Sequence, residues 1–182
     1  MSISSLRPLL GEIHHLGYVV ADLRTAVAGF SELTGAGPFF LSENVHLDEV
    51  TTGSGAPATY EHSSAIGQLG DIAVEFMTVH SSSPSSVQSS LTAFSLPALH
   101  HVAWAVDDWD AVVRALDEEG APSYMKARFG EMRTSYHDAS HLIGHHLEIH
   151  RKNPDLTAFF GMIREASIGW DGSDALRTPN FG

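Results

Sequence analysis

The nine residues HHLGYVVAD at 14–22 return as HHVAWAVDD at 100–108, a displacement of 86 positions. Under that shift His14, His15, Val20 and Asp22 fall on His100, His101, Val106 and Asp108, and Val27 falls on Val113. Leu16 and Val102, and Tyr18 and Trp104, are chemically alike. A period this long is no solenoid; it implies two similar halves around an approximate twofold axis.

Working outward, each copy reads as a strand followed by a helix. In the first, Glu12–Ala21 is short and β-rich, and Asp22 is placed to cap a helix. Leu23, Ala26, Val27, Phe30 and Leu33 then recur at helical spacing until Gly35 and Gly37-Pro38 stop them. In the second, Leu99–Val106 is the strand, Asp108 the cap, Ala111–Glu119 the helix and Gly120 the stop. Phe39, Phe40 and Leu41 begin another strand, and residues 43–57 read as loop. Thr59–Ile66 and Asp71–Val79 read as a hairpin turning at Leu69-Gly70. Serine-rich His80–Ser90 suits a linker into a short helix near Val87–Phe94, and two or three short strands are expected over Ser123–Arg151. Asn153-Pro154 starts a helix carrying Leu156, Phe159, Phe160 and Ile163, and beyond Trp170-Asp171-Gly172 poor order is expected. The expected organisation is one domain over 1–182: a first half at 12–79, a linker at 80–97, a second half at 98–152, and a C-terminal helix and tail at 153–182.

Strand alternation separates two faces in each half. Leu16, Tyr18 and Val20 form a bulky apolar face, with His15, Gly17 and Val19 opposite; Val102, Trp104 and Val106 are matched by His101, Ala103 and Ala105. Later strands divide the same way. Ile72, Val74 and Phe76 oppose Ala73, Glu75 and Met77, while Leu147 and Ile149 oppose His146, Glu148 and His150. A glutamate inside an apolar strand is costly unless paired or metal-bound. The chain has 12 histidines and no cysteine, so any metal must be held by nitrogen and oxygen. Two neutral imidazoles and two carboxylates, His15, His101, Glu75 and Glu148, balance one divalent ion and leave two octahedral positions open. His146 and His150 share the face of Glu148 and compete with it. His14 and His100 are expected to face the helices or to hydrogen-bond locally. Tyr136 and His137 line the pocket or pack, Phe39 and Phe40 form a pocket wall or core, and Phe159 and Phe160 pack a helix.

The bulk numbers exclude several classes. With 182 residues, 43% of them hydrophobic, the chain can bury one real core. A net charge of −12 repels nucleic acid and anionic membrane. No apolar run approaches the roughly 20 residues that span a bilayer, and Met1–Leu10 has no leader-like apolar core, so a cytoplasmic location is expected.

Four stretches in order, HHLGYVVADLRTAVAGFSELTGAGPFF (14–40), GDIAVEFM (70–77), LHHVAWAVDDWDAVVRALDEEGA (99–121) and GHHLEIHR (144–151), resemble the vicinal oxygen chelate superfamily. That superfamily includes glyoxalase I, methylmalonyl-CoA epimerase, extradiol dioxygenases and antibiotic-resistance proteins. The resemblance spans Glu12 to Arg151. It implies an α+β fold of two βαβββ modules forming a cupped mixed sheet around a central metal. It implies metal ligands on the first and last strand of each half, here His15, Glu75, His101 and Glu148. The ion would be Zn, Ni, Co, Mn or Fe(II), in a homodimer acting on a small molecule. Four protein ligands resemble glyoxalase I or the epimerase, whose metal chelates neighbouring substrate oxygens and stabilises an enolate. The implied function is therefore a metal-dependent isomerase, epimerase or lyase, with an Fe(II) extradiol-type dioxygenase and a non-catalytic resistance-type binder as alternatives. Glu61 falls near the epimerase's base position; Glu148 could instead leave the metal and act as base. The helix-like tail after Arg151 departs from the shorter epimerases, and no basic cluster for a CoA phosphate stands out.

Overall fold

The computed structural model describes residues 6–179. After a single helical turn, α1 (Arg7–Leu10), each half runs strand, helix, then returning strands. The first half contains β1 (Ile13–Val19), α2 (Leu23–Thr34), β2 (Phe39–Val45), β3 (Glu49–Thr52), β4 (Thr59–Leu69) and β5 (Ile72–Ser83). After α3 (Ser85–Leu91) come β6 (Ala98–Val106), α4 (Trp109–Glu118), β7 (Ser123–Phe129), β8 (Met132–His137), α5 (Ser140–Ile143) and β9 (His146–Arg151). The chain closes with α6 (Pro154–Ser167) and β10 (Leu176–Arg177).

Local chemistry sets the helix ends. Asp22 Oδ1 accepts the Thr25 N–H at 2.7 Å and Asp108 Oδ1 accepts that of Ala111 at 3.0 Å. Asn153 caps α6 through the Leu156 N–H at 2.8 Å, with Pro154 in the first turn, where a missing N–H costs nothing. Gly35, at φ 73°, ends α2 in the left-handed conformation that favours glycine.

All the named strands lie in one mixed sheet, ordered β10-β2-β4-β5-β1-β6-β9-β8-β7-β3. At its centre β1 and β6 pair antiparallel, and each runs parallel to the last strand of its own half, β5 and β9. This is the α+β arrangement of two βαβββ units that the sequence implied. One face is covered by α2 and α4. Leu23 and Val27 pack on Phe39, Val74 and Phe76, and Val112 and Leu116 on Val106, Leu147 and Ile149.

The other face must be concave. On a flat sheet β2 and β7, seven strand spacings apart, would be separated by roughly 34 Å. Yet β3, which pairs with β7, begins four residues after β2 ends, a reach of at most about 14 Å. The sheet therefore curls until its two sides approach. Inside the curl Tyr60, Val87, Leu91, Met125 and Tyr136 form a third buried cluster.

The chain departs from the expected pattern in two segments. Residues 43–57 are not simply loop: β2 continues to Val45, and β3 crosses to the far edge, pairing Glu49–Thr52 with Met125–Arg128. Its partner lies some 75 residues away, beyond any local periodicity. The tail after residue 172 is also tied down. β10 pairs in parallel with β2, Phe39 N–H donates to Ala175 O at 2.8 Å, and the Trp170 ring lies over Gly37. Residues 180–182 of that tail lie outside the described residues. No helix among the described residues is long and apolar enough to cross a membrane.

Replacing the cap with Asp22→Ala should lower the midpoint of urea denaturation, because the Thr25 N–H loses its side-chain acceptor. An unchanged midpoint would show that the Asp22–Thr25 bond contributes nothing.

Candidate metal centre

Register on the four central strands places the polar residues in two adjacent rows. Glu75, Gly17 and His101 align across β5, β1 and β6, and His15, Ala103 and Glu148 align across β1, β6 and β9. A small residue thus separates each imidazole from the carboxylate of its row. At Gly17 the space is used fully: a Cβ there would collide with His101 Cε1 and Nε2. The His101 ring can lean across β1 only because residue 17 has no side chain.

The four side chains converge. His15 Nε2 and His101 Nε2 are 3.2 Å apart. Glu148 Oε2 lies 3.2 Å from the first and 3.0 Å from the second, and Glu75 Oε2 lies 3.5 and 3.3 Å from them. One donor atom from each residue falls within 4.8 Å of the others, and all four residues are buried. Bonds of about 2.0–2.2 Å to one ion put neighbouring donors roughly 3.0 Å apart in an octahedron and 3.4 Å apart in a tetrahedron. The observed separations span that range. Two nitrogen and two carboxylate donors with a formal charge of −2 could therefore hold one divalent first-row ion.

The electrostatics fit the same picture. Burial opposes charge on His101, but Glu148 and Glu75 outweigh it and raise its pKa to about 9. His15 is raised by the same carboxylates against the same burial. Burial likewise opposes ionisation of both glutamates, and the surrounding imidazoles hold each below the usual carboxylate range. Thr134 anchors the remaining oxygen, donating to Glu148 Oε1 at 3.0 Å.

Glu61 is not brought to this cluster. It lies exposed on the opposite face of β4, accepting a hydrogen bond from Ser81 Oγ at 2.6 Å. Alternation along β4 gives the inward positions to Tyr60 and His62, whose rings stack at 4.4 Å. His62 is buried, and its Nδ1 has no hydrogen-bond partner among the described residues. The alternation was visible in TYEHSS, but the face depends on a long-range register with β5 and on an irregularity at Glu61/His62.

The other candidates divide. His150 stands beside the cluster, its Nε2 3.3 Å from Glu148 Oε2. Tyr136 faces the His101 ring at 5.6 Å, whereas His137 turns away to bond Ala121 O and Ser135. Phe39 is core, packed on Phe30 and Phe76. Phe160 does more than pack its own helix: it lies 4.0 Å from the His14 ring and stacks on His15 at 5.7 Å. His14 and His100 hydrogen-bond locally, each to the imidazole that follows it, and His14 also meets Phe160 of α6.

Two outcomes follow from this geometry. Gly17→Ala should displace the His101 ring and weaken zinc binding by about 10-fold or more, read by calorimetry; unchanged affinity would mean the ring need not cross β1. The second concerns pH. His15 and His101, raised by folding, stabilise below 6.5 and lose that contribution as pH rises, His101 up to about 9. His14 (lowered to about 3), His62, His100, His137 and His146 are kept neutral chiefly by burial, so the unfolded chain gains protons below 6.5 and stability falls. Chelator-treated protein should therefore melt highest near pH 6.5 and lower on both sides. A melting temperature that climbs steadily to pH 9 would contradict the ion-paired cluster.

Comparison with known proteins agrees with the fold. A family model described as Glyoxalase/Bleomycin resistance protein/Dioxygenase superfamily matches residues 14–136. The chain resembles the crystal structure of methylmalonyl-CoA epimerase from Mycobacterium tuberculosis at a TM-score of 0.53 and 20% identity, over 87% of this chain and 97% of that one. It resembles a hypothetical protein from Bacillus halodurans C-125 at a TM-score of 0.53 and 14% identity, over 78% of this chain and 94% of the other. A search of curated proteins finds no match. With the curled sheet and its two βαβββ units, the family match leads to one conclusion: this chain belongs to the glyoxalase/bleomycin resistance protein/dioxygenase superfamily.

Proposed function

We propose that this protein is a divalent-metal-dependent enzyme of the isomerase, epimerase or lyase type, acting on a small carbonyl compound with neighbouring oxygens. The observation that carries this reading is the four-donor cluster of His15, Glu75, His101 and Glu148, buried and within 4.8 Å. A divalent ion bound there supplies Lewis-acid stabilisation of negative charge on a substrate oxygen.

The chain's own residues do the rest. His15, His101 and Glu75 would hold the ion. Glu148 has one oxygen held by Thr134 and the other among three imidazole nitrogens; as a ligand that leaves the ion, it would free that second oxygen to take the proton next to the carbonyl. Glu61, exposed on the outer face, is replaced in that role. The Phe160 ring on His15 and the Tyr60–Leu91–Tyr136 cluster exclude water, which strengthens each electrostatic contact. The likeness to the mycobacterial epimerase supports an enolate-forming reaction as the class. The full set of four donors favours it over a dioxygenase site of two histidines and one carboxylate.

Metal analysis of the purified protein should find about one divalent ion per chain, with His15→Ala, Glu75→Ala, His101→Ala and Glu148→Ala each weakening binding by more than about 100-fold. Full occupancy in the variants would overturn the site. The reaction class is tested by incubating the metal-loaded protein with α-hydroxycarbonyl and β-dicarbonyl compounds in deuterium oxide. Exchange at the carbon next to the carbonyl is expected, and lost in Glu148→Gln. Oxygen uptake with catechols and no such exchange would favour the dioxygenase.

A further inference from the structure

His14 and His100 occupy equivalent places in the two halves, each directly before an imidazole of the cluster. In a regular strand they would point to the opposite face from His15 and His101. Neither strand is regular there. Ile13 faces Trp104 while His15 faces Ala103, leaving His14 as the extra residue of one bulge. Gly17 faces His101 while Tyr18 faces Leu99, leaving His100 as the extra residue of a second bulge in the partner strand. Bulges of this kind re-aim side chains beside functional sites. Here both have the same result: His14 Nδ1 lies 3.1 Å from His15 Nδ1, and His100 Nδ1 lies 2.9 Å from His101 Nδ1.

Two ring nitrogens at that distance share one hydrogen, so one donates and the other accepts. His15 and His101 both direct Nε2 into the cluster. An imidazole that gives its Nε2 lone pair to a metal keeps its proton on Nδ1 and donates from there. Resting on the metal-binding reading above, we infer that His14 and His100 are positioning residues: neutral acceptors that lock His15 and His101 in the Nδ1–H tautomer and hold both Nε2 lone pairs on the shared ion.

The choice of histidine has a physical reason. The usual acceptor behind a metal-bound imidazole is a carboxylate or a backbone carbonyl. Glu75 and Glu148 already balance a divalent ion, and two more carboxylates would leave excess negative charge in a buried site. A neutral imidazole orients the ligand without adding charge. Among the described residues no other hydrogen bond competes for His100: it is buried against Phe94, His146 and Tyr136, and its Nε2 has no partner there. His14 is held from the other side by Phe160.

The test compares ring, acceptor and metal. His14→Phe and His100→Phe keep an aromatic ring but remove the acceptor; His14→Asn and His100→Asn keep an acceptor oxygen near the position of Nδ1. Zinc affinity, measured by competition with a chromophoric chelator, should weaken about 10–100-fold in each Phe variant and recover most of the loss in the Asn variant. Long-range proton–nitrogen spectra of the zinc-loaded wild type should show the proton on Nδ1 in His15 and His101 and on Nε2 in His14 and His100. A packing role alone would move neither readout in this pattern. Unchanged zinc affinity in the Phe variants, or a proton found on Nδ1 of His14 or His100, overturns the inference while leaving the metal site standing. Failure of the wild type to bind zinc overturns both. Should a Phe variant not fold, the Asn variants and the wild-type spectra still decide.

Discussion

The whole arrangement depends on the antiparallel pairing of β1 with β6. It joins the two halves, and it sets one histidine of each half side by side with their Nε2 atoms 3.2 Å apart. The parallel neighbours β5 and β9 then bring one glutamate to each flank. A slip of one residue in that central register would turn His15 and His101 to opposite faces of the sheet. Gly17 is the steric condition for the pairing to yield a site, since the His101 ring fills the space above it.

Charge is balanced locally in a chain that is strongly acidic overall. The two carboxylates sit among imidazoles rather than among the many other acids, most of which lie on the surface. Around them the environment is apolar and aromatic: Phe160 on one side, Tyr60, Leu91, Met125 and Tyr136 on the other. Burial keeps the phenols of Tyr60, Tyr124 and Tyr136 neutral, with Glu75 or Glu148 adding to that effect. Low polarity makes each remaining contact at the cluster strong and makes an unbalanced charge expensive.

Much of this was legible in local patterns. The 86-residue repeat marked the two halves, and alternation placed His15, Glu75, His101 and Glu148 on matching faces because side chains in a strand have a period of two. What escaped was non-local or irregular. β3 pairs with a strand of the other half, and its polar EVTT carries no amphipathic signal. β10 is two residues long and exists through its contact with β2. Bulges reverse alternation, so His14 and His100 could not be placed by counting. Glu61 lies one position from the inward face of its strand, and that choice of face is set by pairing with β5. Phe160 read as helix packing because nothing in α6 itself reveals which part of the sheet the helix crosses.

Anomalous diffraction from crystals of the metal-loaded protein, collected at the absorption edge of the ion, locates the metal among the four donors. One strong peak per chain is expected, at bonding distance from His15 Nε2, His101 Nε2 and the carboxylates of Glu75 and Glu148. A peak elsewhere on the chain, or none between those two imidazoles at full metal occupancy, would contradict that placement.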